Sequence, residues 1–215
     1  MMILAVEFSS AQRSVAVLQS SASAMTVSEI VETGSPVGAF QMSERALEGC
    51  SLEREQVELI AVGLGPGSYT GIRAALALAQ GWHLATGIRV AGLSSVECLA
   101  ALAHAENLRG SVAVVIDAQR NEFYLANYQL EDSGYREKKP LRLALADEVR
   151  NCEASGEVLL GPEIKRWFPG GRVLFPSAAT VARLAVAHQP SVSPERLQPI
   201  YLRETQFVKA ARPKF

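Results

Sequence analysis

Apolar and polar positions divide the chain into short β-like runs and longer helical ones. Residues 2–18, MILAVEFSSAQRSVAVL, read as an apolar strand, an acid at Glu7, a polar turn and a second strand. Residues 111–130, SVAVVIDAQRNEFYLANYQL, repeat the plan with Asp117 in the place of Glu7. The two acid-bearing hairpins lie about half a chain apart, which predicts duplicated lobes with Glu7 and Asp117 at equivalent strand-to-turn positions. Between them, VELIAV (57–62) has the length and β-branching of a strand, and IRAALALAQGWHLAT (72–86) is dominated by good helix formers. A short helix is expected over 40–49, and a firmer one over 95–106 with Ser94 and Glu97 in capping-box spacing. The second half predicts a short helix at 146–152, strands near 157–160 and 172–175, and a helix at 178–188. Gly and Pro mark 161–171 and 188–194 as loops. Alternation of strands and helices makes the class α/β.

The loop between the 57–62 strand and the following helix, GLGPGSYTG, concentrates glycine and hydroxyl residues where a phosphate loop would lie. Free amides at a helix N-terminus favour anions, and glycines let backbone approach a ligand. The candidate contacts are Gly65, Gly67, Ser68, Thr70 and Gly71, with Ser9 and Ser10 of the first turn. The spacing is not that of a Walker loop, because no Lys follows the last glycine. The alternative is a tight strand-to-helix turn with a Ser cap. For Glu7 and Asp117 the corresponding alternative is a carboxylate that caps a strand-end turn.

Composition narrows the chemistry. With 48% apolar and 20% charged residues among 215, this is an ordinary globular composition, and a net charge of −1 supplies no global field for nucleic acid. Cys50, Cys98 and Cys152 show no CxxC spacing, so neither a zinc knuckle nor a disulfide frame is expected. The N-terminal apolar run is broken by Glu7, unlike a signal peptide, and the Ala/Leu run at 74–79 is too short to span a bilayer. The expectation is a soluble, cytoplasmic chain. The histidines, His83, His104 and His188, are too far apart in sequence to form an i, i+4 metal pair.

ILAVEFSS near the start, GLGPGSYTGIR followed by AQG, VIDAQRNEFYLANY in mid-chain and PIYLR near the end together resemble the bacterial TsaB (YeaZ) family. That family belongs to the actin/hexokinase/Hsp70-type (ASKHA) superfamily. The resemblance implies a two-lobed fold with duplicated ribonuclease H-like lobes, the second reduced. The lobes would be 1–108 and 109–197, with 198–215 packing back on the first. It also implies a non-catalytic subunit that dimerises with TsaD, which carries the metal and the chemistry of tRNA threonylcarbamoyladenosine formation. The ATPase TsaE would be a further partner, and the chain would be a homodimer when alone. tRNA would be met indirectly through the complex. No cofactor of its own is implied, although ATP, ADP or threonylcarbamoyl-AMP could be held at a subunit interface.

Two enzymatic readings stand beside this one. An ASKHA-type ATPase or small-molecule kinase would use Glu7 and Asp117 to hold magnesium, although Glu for Asp is not a neutral change in strict octahedral geometry. A glycoprotease-like peptidase would need a nucleophile, and Ser68 does not lie in a G-x-S-x-G elbow. One stretch departs from the family: 39–56 lacks the usual His and Pro and is shorter. Along the 72–86 helix the only polar side chains before residue 86 are Arg73, Gln80 and His83, a narrow stripe. Ile72, Ala74, Ala75, Leu78, Gly81 and Trp82 are therefore expected to form an interface beyond the helix's own packing.

Overall fold

The computed structural model describes residues 1–21, 24–34, 38–188 and 197–202. The first half builds a sheet from β1 (Met2–Glu7), β2 (Gln12–Ser20), β3 (Met25–Thr33), β4 (Leu59–Gly63) and β5 (Arg89–Leu93), in the order β3-β2-β1-β4-β5. The first three strands are antiparallel, and β4 and β5 run parallel to β1. The second half repeats this with β6 (Gly110–Asp117), β7 (Glu122–Glu131), β8 (Gly134–Leu145), β9 (Val158–Gly161) and β10 (Arg172–Val173). Their order, β10-β9-β6-β7-β8, and their directions match the first sheet strand for strand. This is the two-lobed ASKHA fold with duplicated ribonuclease H-like sheets. Reduction of the second lobe lies in its helices and in the two-residue β10, while the sheet keeps all five strands.

Among the described residues, five helices connect and cover these sheets: α1 (Ala39–Gly49), α2 (Tyr69–Thr86), α3 (Ser95–Ala105), α4 (Ala146–Ala154) and α5 (Ala178–His188). Because side chains alternate across a strand, β1 presents Leu4 and Val6 to α1 and α2, and Ile3 and Ala5 to α5. Both faces of this central strand are buried, which is why it reads as a continuous apolar run. On the second sheet, Val112, Val114 and Ile116 of β6 pack against Leu99, Ala100 and Ala103 of α3. Its far face packs on α4 and a short 3-10 turn at Ile164–Arg166, which stands where the first lobe has α2.

The inner helices are exchanged between the sheets. Helix α3 follows the first sheet in sequence but packs on the second, whereas α5 follows the second and packs on the first. The start of α5 is anchored there by side chains of sheet one. The Ser14 hydroxyl accepts from the Ala178 amide at 2.8 Å, and Glu29 accepts from the Ala179 amide at 3.1 Å. Ser177 caps the Thr180 amide at 3.2 Å. Orphan amides of a helix N-terminus thus find partners across the fold.

The segment 197–202 returns to the first lobe. Leu197 is buried in its core, and the Ile200 amide donates to the Leu64 carbonyl at 2.9 Å. The basic residues Arg203, Lys209, Arg212 and Lys214, and most of the 188–194 loop, lie outside the described residues. No helix among the described residues is long and apolar enough to cross a membrane.

Ser14→Ala removes the acceptor from a buried helix-terminal amide. The expected loss is about 1–3 kcal/mol, or several degrees of thermal midpoint in a protein of this size. A calorimetric midpoint equal to that of the wild type would contradict this role.

Candidate functional site: the buried acid, the glycine loop and the helix it launches

Glu7 ends β1 with its side chain fully buried. One carboxylate oxygen accepts from the Ser9 amide at 2.7 Å, and the other from the Ser95 hydroxyl at 2.7 Å. Ser95 in turn accepts from the Gly65 amide at 3.1 Å, and its own amide donates to the Gly65 carbonyl at 2.9 Å. One acid thereby ties the end of β1, the start of α3 and the glycine loop together. Space for it comes from Gly63, where an added Cβ would stand 1.9 Å from the carboxylate. Burial pushes the Glu7 carboxyl above its ordinary value, against the lowering effect of the hydrogen bonds from Ser9 and Ser95.

The loop contacts the chain itself. A Cβ at Gly67 would lie 2.1 Å from the Ser9 carbonyl oxygen, and one at Gly71 would lie 2.0 Å from that of Phe8. These glycines therefore let two backbone segments meet. The Ser68 amide donates to the Ser9 carbonyl at 2.7 Å, and the Gly65–Pro66 peptide is cis. Ser68 is the N-cap of α2, its hydroxyl accepting from the Gly71 amide at 3.3 Å. Ser9 and Ser10 are buried, and the Ser10 hydroxyl donates to the Gln12 carbonyl at 2.8 Å. Of the expected phosphate contacts, Thr70 alone is exposed at the helix start. The amides of Gly65, Ser68 and Gly71 are engaged within the chain.

Asp117 holds the equivalent place in the second lobe. It ends β6, and its carboxylate accepts from the amide two residues on, Gln119, at 2.7 Å, just as Glu7 accepts from Ser9. Its surroundings differ: Asp117 is half-buried, and the next turn runs through Gln119, Arg120 and Asn121, all left-handed with φ of 63°, 58° and 61°. Among the described residues no cluster of three or more His, Cys, Asp or Glu is placed to hold a metal. The histidines are engaged apart from one another, His83 with the Ile88 carbonyl, His104 with the Glu131 carbonyl and His188 with Glu97.

Helix α2 begins at Tyr69, three residues before the apolar run suggests, because Ser68 caps it. Its sides part clearly. Ile72 and Ala75 are fully buried in the core of the first lobe, which removes them from any partner surface. Leu78 and Trp82 are half-buried at the edge of that core, while Ala74, Ala77, Gly81 and Ala85 face solvent. Leu84 is 85% exposed. Beside them, Phe40 of α1 is 54% exposed beneath the Arg54 guanidinium, 5.0 Å from the ring centre. Between α1 and α2 lies a groove of about 960 Å³ lined by Phe40, Val57, Leu78, Gly81, Trp82 and Ile88, with Arg54, Glu58 and Arg89 on its walls. Phe40, Leu84 and the groove were invisible in the sequence, since an almost uniformly apolar helix does not show which apolar residues face out.

A family model described as TsaD, tRNA N6-adenosine threonylcarbamoyltransferase, matches residues 37–192. The tRNA threonylcarbamoyladenosine biosynthesis protein TsaB of Escherichia coli is 30% identical over 164 residues, covering 68% of this chain and 71% of that protein. The chain belongs to the TsaB (YeaZ) family. The TsaB protein of Haemophilus influenzae is 25% identical across 82% of this chain and 83% of its own length. The solved YeaZ structure from Pseudomonas aeruginosa superposes with a TM-score of 0.77 at 26% identity, covering 93% of this chain and all 100% of that one. Within this TsaB-family chain the glycine loop and the strand-end acid form one packed unit.

The raised carboxyl of Glu7 has a definite pH signature. The folded state holds the proton more tightly than the unfolded state, so stability is greatest below the ordinary glutamate pKa, near 4.5. It falls as pH rises from there through the folded pKa. Glu7→Gln removes that slope. Denaturant unfolding at a series of pH values above 4.5 should show the wild type losing stability relative to the variant; parallel curves would refute a proton-linked Glu7.

Proposed function

We propose that this chain is a non-catalytic partner subunit in tRNA threonylcarbamoyladenosine formation, docking a TsaD-like catalytic subunit through the outer faces of α1 and α2. The observation that carries the reading is the solvent-facing apolar side of α2, with its groove and the exposed Phe40 and Leu84. Exposed apolar patches of this kind mark protein contacts. The small residues Ala74, Ala77, Gly81 and Ala85 permit close approach of another helix. Family membership supplies the pathway. Absence of reaction chemistry is supported by Glu7, whose two carboxylate oxygens are taken up by Ser9 and Ser95 inside the fold.

In this reading the units of the chain are 1–108, 109–197 and a returning 198–215. Alone, it pairs with a second copy through the same helices. A TsaE-like ATPase joins the complex, and any ATP, ADP or threonylcarbamoyl-AMP is held between subunits. The rival kinase-like reading draws on the equivalence of Glu7 and Asp117. It requires magnesium-dependent ATP turnover by the isolated chain that Glu7→Ala abolishes. We expect no such turnover, and steady hydrolysis with that mutant profile would establish the rival.

Leu78 packs on the core, so charging it would disturb fold and interface together. Gly81 separates the two, because a Cβ there meets nothing within 4 Å. Gly81→Arg gains helix propensity, about 0.5–1 kcal/mol, yet places a charge in the groove. Burying an unpaired charge costs several kcal/mol, and ~4 kcal/mol corresponds to roughly a thousandfold weaker association. The variant should melt at or above the wild-type midpoint while failing to bind a TsaD-like subunit in analytical ultracentrifugation. Gly81→Ala should keep both properties. Unchanged binding by Gly81→Arg would exclude this face.

A further inference from the structure

The edge strand β8 pairs with β7 in two registers. Next to the turn, Glu131 faces Gly134, Gln129 faces Arg136 and Tyr128 faces Glu137. At the other end, Leu125 faces Arg142, Tyr124 faces Leu143 and Phe123 faces Ala144. Tyr128 to Leu125 is three steps along β7, while Glu137 to Arg142 is five along β8. Strand β8 therefore carries two extra residues between the two halves of the ladder. Among the described residues it has no neighbour on its other side, and Pro140, within the offset, has no amide to give the ladder.

Side chains alternate along a strand with a period of two, so a two-residue offset returns each one to the same face. Tyr135 before the offset and Leu141 after it both reach the inner core. A ladder continued from the turn without the offset would put Leu141 opposite Tyr124, in the place of Leu143. That exchange leaves the inner face apolar. The outer face is not indifferent. There Arg142 would move opposite Phe123, into the place of Ala144 in the buried cluster with Leu125, Val149 and Phe168. A guanidinium among such side chains is strongly disfavoured.

In the observed register the same guanidinium is well supplied with acceptors. It donates to the Leu125 carbonyl at 3.4 Å, the Pro140 carbonyl at 3.3 Å and the Asn127 side-chain oxygen at 3.1 Å, which spans the offset. It also donates to Glu148 of α4 at 2.6 Å. Asn127 is buried, and its side-chain nitrogen donates to Glu157 at 2.8 Å and to the Cys152 sulfur at 3.5 Å. These contacts join the irregular stretch of the ladder to the first and last turns of α4, and β8 runs directly into that helix at Leu145.

We propose that β8 and α4 form a two-position element, and that Arg142 with Asn127 holds it in the offset register. Arg142 acts twice. Its bonds replace those that the ladder loses at the offset, and its charge excludes the continuous register, in which it would enter the α4 core. The second position would carry Leu145, the N-cap of α4, two residues past the start of β7, a shift of about 7 Å. Placement of the outer helix of the second lobe thus depends on one side chain of an edge strand.

Cross-strand nuclear Overhauser contacts in the full chain test this. The wild type should show Tyr124 against Leu143. Arg142→Leu removes both the bonds and the barrier, and should lose those contacts in part or whole to Tyr124 against Leu141, with its helical circular dichroism kept. Arg142→Gln, which lacks the charge and the fork, should show the two sets together. Ser14→Ala is weakened elsewhere in the fold and should keep Tyr124 against Leu143 alone, which separates register from general loss of stability. An Arg142→Leu chain that folds and retains only the Leu143 contacts overturns the proposal, as do Leu141 contacts in Ser14→Ala. If Arg142→Leu does not fold, Arg142→Gln decides: Leu141 contacts support the two-position element, and their absence overturns it.

Discussion

Three segments distant in sequence meet on the carboxylate of Glu7: the end of β1, the start of α3 and the loop that launches α2. A buried acid is costly unless its oxygens are satisfied, and here an amide and a hydroxyl satisfy them. The cost makes the arrangement specific. Moving the loop would strand Gly65, moving α3 would strand Glu7 itself, and any side chain at position 63 would collide with the carboxylate. The direction in which α2 leaves the sheet, and hence the placement of its exposed face, is set from inside the fold by this one group. Glycines that look made for a ligand are used instead to bring the loop onto the Phe8–Ser9 backbone.

The exchange of α3 and α5 extends the same logic to the whole molecule. Each inner sheet face is covered by a helix from the opposite half of the chain, so neither half completes its core unaided. Ser14, Glu29 and Ser177 satisfy the amides at the start of α5. The outer faces carry no such obligation. On the first sheet the outer layer is the long α2 with α1; on the second it is α4 and a single 3-10 turn.

Much of this was legible in the residues. Strands β1, β2, β4, β6 and β7 stand out because they are buried and rich in apolar, β-branched side chains, and the echo of Glu7 in Asp117 carried the duplication. Two edge strands, β3 and β8, escaped notice for a physical reason: both are half-solvated, and β8 carries a run of charges and a proline. Edge strands use such residues to discourage pairing with other chains, which removes the apolar signal. Strand β5 is five residues long and contains Gly92. At the site, Glu7 and the loop glycines were identifiable as residues, but their use was not. The Ser95 hydroxyl lies 88 positions from the acid it serves, and no local pattern reports such a contact. Helix α2 failed in the opposite way: its sequence is apolar on nearly every side, so Ile72 and Ala75 could not be told from Ala74 and Gly81.

The swapped helices also bear on how a duplicated chain of this kind can arise. Two separate copies of one lobe, each lending its last helix to the other's sheet, would form a symmetric dimer with the same inner layers. Joining them end to end turns an exchange between molecules into one within a single chain, no longer dependent on concentration. From then on the copies need not remain alike. The shared inner layers stay constrained by both halves, whereas each outer layer can drift independently, and the loss of a long helix from one while the other keeps α2 is the asymmetry that this geometry permits.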